Sequence, residues 1–206
     1  MKIKIINPNT MEQMTREINE TVKRVARPDT EFLTVNPPRG PLSIEGAYDS
    51  YLAAREVLGE VLKDRERYDA YVIACFGDVG LDGAREVVDV PVIGICEAAL
   101  HVASMLAPRF SILTVIPRVI VLNRQLVNKY GFECHLASIR ATDLPVEEFA
   151  RDAAAAQKAL LLVGWKISFS LESLCLRGSL NFGEVPLSRA HRGSVGAPIR
   201  TGRVPS

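Results

Sequence analysis

Short β-branched runs alternate with stretches of helical spacing along most of this chain, and that alternation restricts the fold more than any other feature. Ile3 to Ile6 reads as a strand. Apolar residues then recur at Met11, Met14, Ile18, Val22 and Val25, a helical stripe stopped by Pro28, with Thr10 and Gln13 at capping-box spacing in front. A second strand, Glu31 to Val35, enters a Pro- and Gly-rich loop over 36–46, and Leu52, Leu58, Val61 and Leu62 mark a second helix. Strand Ala70 to Ala74, a short helix over 81–87 and strand Pro91 to Ile95 complete a first set. The alternation resumes with a helix over 98–106, strand Ser111 to Ile116 and a helix from Arg118 to Tyr130, ended by Gly131. Strand Phe132 to Ala137 and an Ala-rich helix over 146–158 follow. Such alternation predicts parallel sheets built from βαβ units.

The pattern divides near residue 96 into two sets of similar size with no close sequence repeat. The expectation is an α/β protein of two Rossmann-like (flavodoxin-like) lobes, residues 1–96 and 97–166, with an active site in the cleft between them. Leu160 to Val163 reads as a last buried strand. From Ile167 to Ser206 there are seven Ser, five Arg, no Lys and only two acidic residues, whereas the preceding 166 residues hold just five Ser. That shift sets 167–206 apart as an irregular tail without helical or strand period. A surface-wrapping segment, a poorly ordered terminus and a frame-shifted stretch all fit it, and the protein sequence leaves the three open.

Charge narrows the partners. With 25 basic against 24 acidic residues and 6% aromatics, the chain carries no electrostatic footprint for nucleic acid or an acidic membrane. No apolar run approaches the ~20 residues of a membrane span. The N-terminal apolar run meets Asn7 too early for a signal peptide, so a cytoplasmic location is expected. Cysteines 75, 96, 134 and 175 form no C-x-x-C pair, which argues against a zinc ribbon or thioredoxin motif, and a reducing compartment argues against disulfides. Each is then either a small buried hydrophobe or a reactive thiol.

Ligands of open α/β sheets collect at the carboxyl ends of strands. Three such ends carry polar groups: Asn7-Pro8-Asn9-Thr10, Cys75-Phe76-Gly77-Asp78-Val79-Gly80, and Thr114. Singly, Asn9 and Thr10 are good helix caps, Cys75 is a packed thiol and Thr114 is a strand residue. Jointly they outline a site. Cys96 and Cys134 fall in or at the end of apolar strands, where packing is their expected role. Cys134 and His135, adjacent on a strand, should face opposite sides, which speaks against joint metal binding. Glu97 reads as a solvated helix-start carboxylate, and His101 and His191 have no visible partner.

Ile6-Asn7-Pro8-Asn9-Thr10, Cys75 to Asp82 with Arg85-Glu86, and Pro91 to Ala98 together resemble the Asp/Glu/hydantoin racemase superfamily. Phe110 to Thr114 with Pro117-Arg118, and Tyr130-Gly131-Phe132, extend the resemblance over residues 1–158, with the hydantoin racemase branch most similar. It implies an isomerase that needs no cofactor or metal. Two cysteines face each other across the cleft; one takes the proton from the substrate's chiral carbon and the other protonates the opposite face. It also implies a small-molecule substrate, a hydantoin or an amino acid, and a homo-oligomer. Cys75 becomes the base, with Asn9, Thr10, Gly77, Asp78 and Thr114 around the substrate. Donors near the developing negative charge would lower the barrier. Gly77 and Gly80 would permit close backbone approach, and N–H groups of the turn would favour the Cys75 thiolate.

The chain departs from the family at two places. Val115 stands where a second hydroxyl usually follows Thr114. The second cysteine usually lies in a Gly-Cys-Ala-Gly-like turn after a late strand, but here Leu160 to Gly164 runs into Trp165-Lys166, and the only later cysteine, Cys175, which lies outside that motif, is the candidate second acid. Three functions follow: a racemase impaired by loss of its second acid/base, a non-catalytic paralogue binding a small carboxylate or hydantoin, and a single-cysteine decarboxylase or isomerase.

Overall fold

The computed structural model describes residues 1–172. Two parallel sheets are present. The first comprises β1 (Lys2–Ile6), β2 (Glu31–Val35), β3 (Ala70–Ile73) and β4 (Val92–Gly94) in the order β2-β1-β3-β4. The second pairs β5 (Phe110–Thr114) with β6 (Leu136–Ala141). Helices α1 (Glu12–Val25), α2 (Ala47–Lys63), α3 (Leu81–Val87), α4 (Ile95–Leu106) and α5 (Val119–Lys129) connect consecutive strands, as parallel pairing requires. The α/β class and the parallel sheets read from the alternation are therefore present.

Each sheet has its own core. Ile6, Tyr71, Ile73 and Val92 of the first sheet pack with Val57 and Val61 of α2 and Leu81 and Ala84 of α3. Ile112, Leu136 and Ile139 of the second pack with Cys96 and Leu100 of α4 and Val127 of α5. Tyr130 touches both clusters.

Several expected boundaries move. The buried stripe of α2 is Ala53, Val57 and Val61, an i, i+4, i+8 series, while Leu52 and Leu62 are exposed. Residues 133–135 form a 3₁₀ turn and β6 starts only at Leu136, so Cys134 and His135 do not lie on a strand, and Cys134 is exposed rather than packed. The expected strand Leu160 to Val163 is helix. After α6 (Val146–Arg151), α7 runs unbroken from Ala153 to Glu172. Ala153 to Ala156 are the strongest helix formers, and no turn residue separates them from Leu160. A short apolar run cannot be assigned to strand or helix by periodicity alone. The first residues of the expected tail, 167–172, continue this helix; the rest of the tail, with Cys175 and His191, lies outside the described residues.

One buried charge cluster escaped the sequence pattern. Lys4, in the middle of β1, is 1% exposed. Its Nζ donates to the Glu60 carbonyl at 2.7 Å and pairs with the carboxylates of Glu60 at 3.3 Å and Asp64 at 3.2 Å.

Candidate functional site

β1 and β3 are neighbours in register, Ile6 opposite Ile73, so the turns that follow them leave the sheet side by side. Backbone bonds continue the ladder past both ends: Ala74 N–H donates to the Ile6 carbonyl and Asn7 N–H to the Val35 carbonyl, both at 2.8 Å. Asn9, Thr10, Cys75, Gly77 and Asp78 thus share one edge of one sheet. Thr114 ends β5 in the other sheet, where its carbonyl accepts the Thr142 N–H at 2.9 Å.

The β1 turn is internally hydrogen-bonded and mostly buried. Asn7 Nδ2 donates to Asn9 Oδ1 at 2.8 Å and to Thr15 Oγ1 at 3.0 Å. Asn9 Oδ1 also accepts the Met11 N–H at 2.9 Å, in front of α1. The Asn9 oxygen is thus occupied internally, while its Nδ2 rests on the Met14 sulfur at 3.3 Å, a weak acceptor. A carbonyl or carboxylate oxygen would be the better partner for that amide donor. Thr10 points elsewhere: its hydroxyl donates to the Pro41 carbonyl at 3.4 Å.

In the β3 turn, Cys75 is half-buried and its Sγ accepts the Gly77 N–H at 3.4 Å. That bond favours the thiolate, as the turn geometry led one to expect, but two effects oppose it. Burial pushes the thiol up, and the Asp78 carboxylate adds repulsion, leaving it at about 11. The expected thiolate-favouring environment is therefore outweighed by desolvation. Cys96, fully buried as its sequence context suggested, is pushed up to about 12, by burial first and then by Asp78, Cys75 and Glu97.

Asp78 is the hub of the turn. It is 5% exposed and adopts a left-handed backbone, φ +44°. Its Oδ1 accepts the Cys96 N–H and its Oδ2 the Glu97 N–H, both at 2.9 Å, which ties the first turn of α4 to the Cys75 turn. Oδ2 also accepts the Tyr130 hydroxyl at 2.8 Å. Glu97, read as a solvated carboxylate, pairs instead with Arg85 of α3 at 2.7 Å. Tyr130 and Gly94 are the residues that sequence reasoning missed here. Tyr130 lies 52 positions from Asp78. At Gly94, a Cβ would fall 2.3 Å from Asp78 Cγ, so only glycine admits the carboxylate. The Gly94-Ile95-Cys96 motif was visible, but its reason was not.

Among the described residues, no group of three or more His, Cys, Asp and Glu side chains is placed to hold a metal ion, and no helix is long and apolar enough to cross a membrane.

Parallel α/β sheets with a thiol turn and an asparagine turn at adjacent strand ends define the class: an α/β protein whose polar site is built at the carboxyl edge of a sheet. The Asp/Glu/Hydantoin racemase family matches residues 3–166, and the chain belongs to that family. A hydantoin racemase of Pseudomonas sp. (strain NS671) is 49% identical over 153 residues, covering 74% of this chain and 61% of that protein. An allantoin racemase from Klebsiella pneumoniae superimposes with a TM-score of 0.78 at 44% identity, covering 84% of this chain and 69% of the other. The allantoin racemase of Pseudomonas fluorescens gives 0.74 at 35% identity, over 77% of this chain and 68% of that one. The chain spans about three fifths of the length of the Pseudomonas hydantoin racemase.

Proposed function

We propose that this chain is a cofactor-independent isomerase of the hydantoin racemase type, acting on a small cyclic ureide such as a 5-substituted hydantoin. The observation that carries the reading is the juxtaposition of the Cys75 turn with the Asn7–Thr10 turn at the ends of paired strands. In the reaction, the Cys75 thiolate takes the proton from the chiral carbon, and the electron pair left behind spreads onto the adjacent carbonyl oxygen. Asn9 Nδ2, held on a weak acceptor, is the donor available to that oxygen. Return of a proton from the Cys75 thiol, after exchange with solvent, to the same face of the carbon restores the neutral substrate and regenerates the thiolate. Gly77 and Thr114 would complete the substrate's surroundings, whereas the Thr10 hydroxyl is turned to the Pro41 carbonyl.

The second face requires a second acid. Within the described residues, the segment from Leu160 to Val163 is part of α7, so no late strand-end turn offers a thiol there. Cys75 acting alone would exchange the carbon-bound proton with solvent on one face. Incubation with a resolved 5-substituted hydantoin, allantoin, Asp or Glu in ²H₂O, read by NMR and chiral chromatography, tests this. Exchange exceeding inversion is the expected result. Absence of exchange with all of them, using folded protein, overturns the catalytic reading.

A second reading is supported by the Cys75 thiol being pushed up to about 11, which leaves little thiolate near neutrality. On that reading the chain binds a hydantoin or small carboxylate without turnover, and calorimetry would detect binding where NMR detects no exchange.

A further inference from the structure

We propose that Asp78 and Tyr130 form a positioning pair that holds the Cys75 turn in place and sets the reactivity of its thiol, with Asp78 turned inward rather than toward substrate. Both oxygens of Asp78 are engaged by donors of the protein: the N–H groups of Cys96 and Glu97 and the hydroxyl of Tyr130. The carboxylate is buried, and Gly94 lies so close to it that a methyl group could not intervene. Three of its roughly four acceptor sites are taken by the protein, and its burial leaves little access for a ligand. It is well placed to brace the turn, because it stands three residues after Cys75 and the Asp78 N–H donates to the Cys75 carbonyl at 3.0 Å.

Tyr130 gives this brace its second anchor. Its ring packs on the cores of both sheets, so its hydroxyl carries the position of α5 to the Cys75 turn. A neighbouring tie runs parallel to it: Lys129 pairs with Asp82 of α3 at 2.5 Å and lies over the Tyr130 ring. The ionisable groups that act on the thiol directly are Asp78 on its own turn and Cys96 on α4; Glu97 on α4, with its partner Arg85 on α3, and Tyr130 after α5 reach it through these two. Among them Tyr130 donates to the carboxylate and draws off part of its charge. Removing the hydroxyl leaves more of that charge acting on a developing thiolate.

The experiment is iodoacetamide alkylation of the full chain across pH 7–11, read by mass spectrometry on the tryptic peptide from Tyr68 to Arg85, which contains Cys75 and no other cysteine. Tyr130→Phe, which keeps the ring, is expected to slow Cys75 alkylation about threefold and raise its midpoint by about half a unit. Asp78→Asn is expected to speed it about tenfold. In the Asp78→Asn background, Tyr130→Phe should add no further effect. Amide hydrogen exchange at Gly77 and Asp78 is a second readout, independent of the thiol. Tyr130→Phe should accelerate exchange there while the amides of β1 stay unchanged, and this measurement stands even where Asp78→Asn fails to fold. A Tyr130→Phe protein with wild-type alkylation and wild-type exchange overturns the proposal, as does a Tyr130→Phe effect that persists undiminished without the Asp78 charge. The inference rests on Cys75 as the reactive thiol but not on turnover. A chain alkylated in this pattern that exchanges no substrate proton loses the racemase reading and keeps the pair; the reverse result keeps the reading and loses the pair.

Discussion

Gly94→Ala is the most severe small substitution this structure specifies. A methyl group at Gly94 would sit 2.3 Å from Asp78 Cγ and 2.4 and 2.6 Å from its two oxygens. No rotamer adjustment at a methyl group relieves such overlap, so the carboxylate must move. It then gives up the donors from Cys96, Glu97 and Tyr130. Hydrogen bonds to a charged acceptor contribute about 1.5–3 kcal/mol each, and water recovers part of that, so the loss comes to about 3–5 kcal/mol. For a chain of this size that corresponds to a fall in Tm of roughly 10–15 °C. Thermal unfolding followed by circular dichroism measures it, with Gly59→Ala as the control, because a Cβ at Gly59 of α2 meets nothing within 4 Å. That control should be neutral or stabilising by up to about 1 kcal/mol. A Gly94→Ala protein within 1 kcal/mol of wild type would refute the reasoning, for it would mean that Asp78 can leave its three donors at little cost.

The other expectations concern thiols and the buried charge. Cys75 alkylation should rise about tenfold per pH unit above neutrality and level off only near pH 11, because at pH 8 a thiol at about 11 is roughly one part in a thousand thiolate; a plateau below pH 9 contradicts it. Both Cys75 and Cys96 have folded values raised above that of an unfolded thiol, so their stabilising contribution is full below about pH 8.5 and is lost as pH rises toward 11–12. Urea midpoints should therefore fall across pH 9–11, and fall less in Cys96→Ala. Cys75→Ala should abolish any substrate exchange with little loss of stability, whereas Cys96→Ala should cost about 1–2 kcal/mol and exposed Cys134→Ala nothing measurable by urea unfolding. Lys4→Met removes the buried cation that Glu60 shares with Asp64, leaving Glu60 only its pair with the half-exposed Lys63, and should cost about 3 kcal/mol; Lys4→Met combined with Glu60→Gln should recover most of it by the same assay.

The strand ends were legible in the sequence because a parallel sheet places its polar turns after short β-branched runs. Ile3 to Ile6 and Ala70 to Ala74 each delivered their turn to the same edge. The family resemblance was carried by those turns and by the Gly94-Ile95-Cys96 segment. What stayed hidden depends on contacts between distant residues. Nothing in Tyr130-Gly131-Phe132 announces a hydroxyl aimed at Asp78, and nothing around Lys4 announces that a lysine on a strand face will be buried against Glu60 and Asp64. Local period also failed where it was ambiguous. Leu160 to Val163 is short and apolar, with Gly164 behind it but no turn residue in front, and only packing decides that it continues a helix. The environment of Cys75 is the subtler case. The turn does supply the expected N–H from Gly77, yet burial and a carboxylate three residues on reverse its net effect.

That reversal bears on how the site would work. A thiol held at about 11 is a strong base once ionised but is seldom ionised, so proton abstraction depends on whatever lowers its value when substrate arrives. Burial is the largest cause, and a bound hydantoin would not relieve burial. The remaining levers are the Gly77 N–H, which favours the thiolate, and the charge of Asp78, which is moderated by three donors drawn from α4 and from Tyr130 beyond α5. Movement of either element relative to the first sheet would change how much of the carboxylate's field reaches the sulfur. On the proposed pairing, the Asp78 hub would couple the packing of α4 and α5 to the basicity of Cys75.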